Sequence, residues 1–109
     1  MTLLRGTLEI LVLKSLSWGP MHGVEITSWI EERSGGELEV TDAALLQALH
    51  RLEAREVVSA DWGITANERR AKYYRLTAKG KASLRSEGAA MARHVEALAM
   101  VLAARRLEP

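Results

Sequence analysis

Six cations crowd into residues 67–81, NERRAKYYRLTAKGK: Arg69, Arg70, Lys72, Arg75, Lys79 and Lys81, around two adjacent tyrosines and opposed by Glu68 alone. The formal net charge of the whole 109-residue chain is only +1. A local excess of lysine and arginine on a nearly neutral protein suits the capture of phosphates, because each cation laid against a nucleic-acid backbone releases condensed counterions. The competing reading is a merely solvated basic surface, and the elements that carry the cations decide between the two.

Other chemistries find little support. His22, His50 and His94 are scattered one per element without ligand spacing, and the absence of cysteine excludes disulfides and thiolate metal sites. No nucleophile elbow or phosphate-loop pattern occurs. Glu31 and Glu32 are neighbours on one helix, so they point in different directions and form no acid/base pair; each reads as a solvated helix residue. Neither catalysis nor a cofactor or metal is expected. Aromatics make up only 5% of residues and phenylalanine is absent. Trp18, Trp29 and Trp62 are therefore expected to anchor the core rather than to line a pocket for a planar ligand.

The length allows one domain that buries roughly 65% of its unfolded surface. With 48% hydrophobic and 27% charged residues, disorder is not expected. The isoelectric point near 8.2 is too mild to announce nucleic-acid binding, so the local distribution of charge carries that signal. The opening MTLLRGTLEILVLKSL is interrupted by Glu9 and Lys14 and no small-residue cleavage site follows, which argues against a signal sequence. No run approaches transmembrane length, and a cytoplasmic location is the expectation.

The elements follow from periodicity and punctuation. A buried helix is expected from about Leu3 to Ser17, through Leu4, Leu8, Ile10, Leu11, Val12, Leu13 and Leu16, until Gly19 and Pro20 break it. A second runs from about Met21 to Arg33, with Ile26, Trp29 and Ile30 at helical spacing, and ends at Ser34–Gly36. Thr41 is placed to cap a third, with Asp42 in its first turn and an apolar stripe of Leu45, Leu49 and Leu52 joined by Leu46. The period then switches to alternation: 57–62 and 71–76 read as strands around a polar tip of about eight residues that carries Arg69 and Arg70. On the second strand Leu76 should face inward, taking Tyr74 with it and leaving Tyr73 the more exposed of the two, more suited to packing across the hairpin than to base stacking. Thr77 caps a final helix reaching roughly Arg106.

Three short helices followed by a hairpin match a winged helix-turn-helix, in which the third helix enters the major groove of DNA and the wing touches the adjoining backbone or minor groove. The fold expected is mainly α with a two-stranded β wing, plus a long C-terminal helix. A helix of thirty residues measures about 45 Å, longer than the ~30 Å span of the rest, so part of it projects. Met91, Val95, Leu98 and Leu102 form a heptad-like seam on the projecting part, suited to a two-fold dimer that sets two recognition helices ~34 Å apart. The alternative is a helix folded back over the first one, with Gly88 supplying the bend.

Taken together, LLRGTLEILVLKSLSWGPMHGVEI, ALHRLE and WGITANERRAKYYRLTAKG resemble the PadR family of transcriptional regulators in its short form, over nearly the whole chain. The resemblance implies a dimeric winged-helix DNA-binding protein, in most members a repressor, with residues 1–76 as the DNA-binding domain and 77–109 as the dimerisation helix. It also brings the alternative of a small aromatic effector held at the dimer interface, although the last helix offers no aromatic side chain to stack on one. One stretch departs from the pattern. Where the family has Gly-Ser-Leu-Tyr-Pro, this chain has Ala43, Ala44, Leu45, Leu46 and Gln47. The hydroxyls that the family offers to the DNA backbone are missing at Ala44 and Leu46. Either the wing and Arg51 supply most of the contact, DNA affinity is reduced, or the chain is a winged-helix interaction module. The residues expected at DNA are Thr41, Asp42, Ala43, Ala44, Gln47 and Arg51 on the third helix, and Arg69, Arg70, Lys72 and Tyr73 on the wing.

Overall fold

The computed structural model describes residues 6–106, so Leu3 and Leu4 of the expected first helix lie outside the described residues. The order is α1 (Thr7–Leu16), β1 (Met21–His22), α2 (Gly23–Arg33), α3 (Asp42–Ala54), β2 (Val58–Ile64), β3 (Arg70–Leu76) and α4 (Ala78–Ala103). The fold is mainly helical with an antiparallel wing, as the periodicities indicate, and no helix among the described residues is long and apolar enough to cross a membrane.

One strand was not anticipated. Met21 and His22 do not begin α2; they pair with Tyr74 and Tyr73, so the sheet has three strands in the order β1-β3-β2. His22 instead caps α2. Its Nδ1 accepts from the Glu25 backbone N–H at 3.4 Å, while Glu25 Oε1 accepts from the His22 N–H at 3.0 Å. This reciprocal box satisfies two of the donors that a helix start leaves open.

The core lies where α1, α2 and α3 meet the sheet, around Val12, Leu13, Ile26, Leu52 and Val57, all fully buried. The stripe of α3 is Leu45, Ala48, Leu49 and Leu52. Leu46 does not join it. One residue past Leu45 is ~100° around the helix, and Leu46 faces solvent. The tryptophan expectation also needs correction. Trp29 is half-buried, but Trp18 and Trp62 are exposed, because aliphatic side chains already fill the interior. Arg33 lies between the first two, 5.7 Å from the Trp18 ring centroid and 5.6 Å from that of Trp29.

Two ties at the back of the molecule set the angle of the long helix. Thr77 caps α4 by accepting from the Gly80 N–H at 3.0 Å and donates its own hydroxyl proton to the Glu56 carbonyl at 2.8 Å. Arg55 and Glu87 add an ion pair at 2.7 Å. The first part of α4 packs on α1 through Leu84, and the helix runs through Gly88 without interruption. From Ala92 to its end every residue of α4 is exposed. The helix thus packs against α1 over its first part and projects beyond it, without the bend at Gly88 that a folded-back helix would need.

Candidate nucleic-acid interface

The start of α3 is built by its cap. Thr41 Oγ1 accepts from the Ala44 N–H at 3.1 Å, and Asp42 adds an anion in the first turn, where the helix dipole favours it. Glu31, far from being merely solvated, accepts from the Val40 N–H at 3.5 Å and steadies the approach to the cap. Thr41, Asp42, Ala43, Leu46, Gln47 and His50 are exposed on α3, whereas Ala44 is half-buried against the core.

Not every cation expected at the interface is free. Arg51 Nε donates to Glu9 Oε1 of α1, an ion pair that draws the guanidinium toward α1. Lys72 Nζ lies 3.7 Å from Glu53 Oε1 and 5.6 Å from the centre of the Tyr74 ring. Arg75 pairs with Asp61 at 2.6 Å. Among the described residues, no ion pair engages Arg69 or Arg70. Arg69 sits in the turn, where its N–H donates to Thr65 Oγ1 at 3.2 Å and its carbonyl accepts from the Thr65 N–H at 2.8 Å.

Arg70 is not at the tip. Both strands are longer than alternation suggested, the connecting loop shrinks to residues 65–69, and Arg70 begins β3 opposite Ile64. Its guanidinium carbon lies 4.7 Å from the Trp62 ring centroid. Arg70 is exposed, and the indole face favours its charge through the ring quadrupole.

The two tyrosines divide as the alternation indicates. Tyr74 is 5% exposed, and burial is the main cause of the raised pKa of its hydroxyl, opposed by Lys72 and reinforced by Glu53. Tyr73, on the other face, is half-buried and meets the His22 ring edge-on at 5.3 Å. Its ring also lies over Gly63, where a Cβ would come within 2.9 Å of it. Packing, not base stacking, occupies Tyr73.

The start of α3 and the wing share one open groove of about 380 Å³, lined by Asp42, Leu45 and Leu46 on one side and Ala71, Lys72 and Tyr74 on the other. Its lining is mostly apolar, with Asp42 and Lys72 as its charged members. Sequence reasoning missed Trp62 and Ile64, which stand exposed on the wing beside Arg70. Continuing the alternation of Val58 and Ala60 two steps further would have found them. The seam residues lie on the projecting helix: Met91 is half-buried, and Val95, Leu98 and Leu102 are exposed.

The family model of the transcriptional regulator PadR-like family matches residues 12–86. An uncharacterized protein from Lysinibacillus sphaericus is 33% identical over 82 residues, covering 75% of each chain. A PadR family transcriptional regulator from Eggerthella lenta superposes with a TM-score of 0.73 at 25% identity, covering 93% of this chain and 86% of that one. Bacillus subtilis PadR, solved in complex with operator DNA, superposes with a TM-score of 0.66 at 21% identity. That match covers 97% of this chain and 52% of the other, so the chain spans about half the length of that protein.

Proposed function

The chain belongs to the PadR-like family of transcriptional regulators, and from this premise we propose that it is a homodimeric repressor that grips operator DNA with α3 and the wing. Members of this family are regulators, not enzymes. The observation that carries the reading is the pair Arg69 and Arg70, held on the wing beside the exposed start of α3 and engaged by no carboxylate among the described residues. Thr41, Asp42 and Ala43 bring the start of α3 to the backbone, Gln47 faces a base edge, and Arg69, Arg70 and Lys72 meet phosphates. DNA binding is assigned to the unit within residues 1–76 and dimerisation to the segment 77–109 through α4, within the cytoplasm.

Arg70→Ala tests the wing. It should weaken binding to every duplex and flatten the plot of log affinity against log salt by about one unit of slope. Fluorescence anisotropy on labelled duplexes between low and moderate salt measures it, and an unchanged slope removes the wing–phosphate contact.

Arg51 supports a subtler expectation. Glu9 competes with DNA for its guanidinium, so the isosteric Glu9→Gln should release the cation and remove a nearby negative charge. Affinity for non-specific DNA should rise several-fold and the salt slope should steepen by up to about one unit. The same anisotropy titration reads both, and an unaltered slope would mean that Arg51 stays on α1 in the complex.

A further inference from the structure

The exposed face of α3 can be read around the helix. Leu45, Ala48, Leu49 and Leu52 point into the core, and Asp42, Ala43, Leu46, Gln47 and His50 cover the opposite side. Neither lysine nor arginine occurs among these five residues. The next cation along the helix, Arg51, is drawn toward α1 by Glu9, and Lys72 stands across the groove on the wing. Leu46 is 51% exposed, and Val24 of α2, 71% exposed, lines the same groove. The middle of the helix face is therefore free of cations and partly apolar, with the positive charge standing on the wing and toward α1.

Two large apolar side chains left exposed along one groove mark a contact surface. Its middle is poorly made for phosphates, which call for lysine, arginine or hydroxyl donors. It is matched instead to the floor of the major groove. Most of that floor is polar, made of purine N7 atoms, carbonyl oxygens and exocyclic amino groups, and the thymine C5-methyl is its one apolar feature. A leucine pressed on an amino group or a carbonyl strips it of water and returns no hydrogen bond, so the contact costs affinity. Pressed on a methyl, the same leucine removes apolar surface from water on both sides. Gln47, one position on, carries the amide that can pair with adenine at N6 and N7.

Resting on the DNA-binding reading above, we propose that Leu46 is a specificity-determining residue: it seats against the C5-methyl of a thymine in the major groove, beside Gln47 at an adenine. The apolar start of α3 is then a reader of bases, and the grip on phosphates stays with the wing. A cytosine or a purine edge under Leu46 is rejected because its polar atoms lose water without gaining a partner.

The test uses the full chain and a duplex selected by the wild-type protein from a random pool of about 30 bp. Thymines of that duplex are replaced by uracil one at a time, which removes a methyl from the major groove and leaves every hydrogen-bonding edge unchanged. Wild type should lose about fourfold in affinity at one thymine in each half-site, the effect of a single methyl. Leu46→Ala should bind the unmodified duplex about tenfold less tightly than wild type, and at that same thymine its penalty for uracil should fall below about twofold. Leu46→Met keeps an apolar side chain of similar volume and should retain the penalty. The melting temperature and sedimentation of Leu46→Ala should match those of wild type, because Leu46 lies outside the core and alanine suits a helix. Indifference of wild type to uracil at every thymine, or a penalty unchanged in Leu46→Ala, overturns the methyl contact while leaving the regulator reading intact. Loss of all binding by Leu46→Ala also overturns it, as does a changed sedimentation coefficient, which would make the surface a protein interface. Failure of wild type to select any duplex sinks both readings.

Discussion

Gly80→Ala should lower the melting temperature by roughly 12 °C or more, corresponding to about 3 kcal/mol in a domain of this size. The reason is a backbone approach. A Cβ on Gly80 would overlap the carbonyl oxygen of Val57 and lie 2.9 Å from its carbon, with Leu76 Cδ2 at 3.3 Å. Main chain on both sides leaves no flexible end to give way. Relief requires α4 to back off from the start of β2, which breaks the bond from the Thr77 N–H to the Val57 carbonyl at 3.1 Å and the Thr77 hydroxyl bond to Glu56. Gly88→Ala on the same helix is the control. There the added methyl meets only Leu84 Cδ1 at 3.6 Å, an ordinary contact. Removing a glycine from a helix interior should then stabilise by up to about 1 kcal/mol. Calorimetry at one protein concentration compares the two, since melting of an associating protein depends on concentration. A Gly80→Ala protein that melts with wild type would mean that α4 is not locked to the head at Val57.

The features legible in the sequence are the local ones. Thr41 and Thr77 cap α3 and α4 because a hydroxyl at that position answers an open N–H three residues on, a rule contained within a few residues of chain. The opposite fates of Tyr73 and Tyr74 follow from the two-residue period of a strand. Long-range pairing was not legible. Strand β1 is two residues long, carries no period of its own, and exists only because β3 offers it an edge. The partners Arg51 and Glu9 are 42 positions apart, so spacing marks Arg51 as an exposed cation without revealing the acid that holds it. Composition misled on the tryptophans. Scarcity of aromatics suggests that each is needed inside, yet Leu13, Ile26 and Leu52 fill the interior and leave Trp18 and Trp62 outside. That displacement is informative in its own right: a large apolar side chain that the core does not use is available to a partner.

On the proposed homodimer, Leu98→Glu should give a species of 12.1 kDa in place of one of twice that mass, and should weaken operator binding by a factor of about a hundred or more. Leu98 is 48% exposed on its own subunit, with Val95 at 54% and Leu102 at 85% along the same stripe. Burying such side chains against a partner stabilises by about 1.5–3 kcal/mol each, and a two-fold axis counts every one twice. The substitution replaces the middle of the stripe by a carboxylate and, across the axis, faces it with its own copy. Two like charges removed from water destabilise strongly. Closer to the head, Ile10, Leu11 and Met91 line an apolar groove of about 480 Å³ between α1 and α4, so the stripe continues onto a surface that another helix can cover. The loss of DNA affinity follows from tethering. In a dimer the second head binds at the high effective concentration set by the first, and a lone head loses that gain. Met100→Glu is the matching control, because Met100 is 75% exposed on the far side of the helix from Leu98 and should leave both mass and affinity unchanged. Sedimentation velocity and anisotropy on the same preparations separate the links. A wild-type protein of 12.1 kDa in solution refutes the dimer, while a monomeric Leu98→Glu that still binds operator at wild-type affinity refutes the need for two heads.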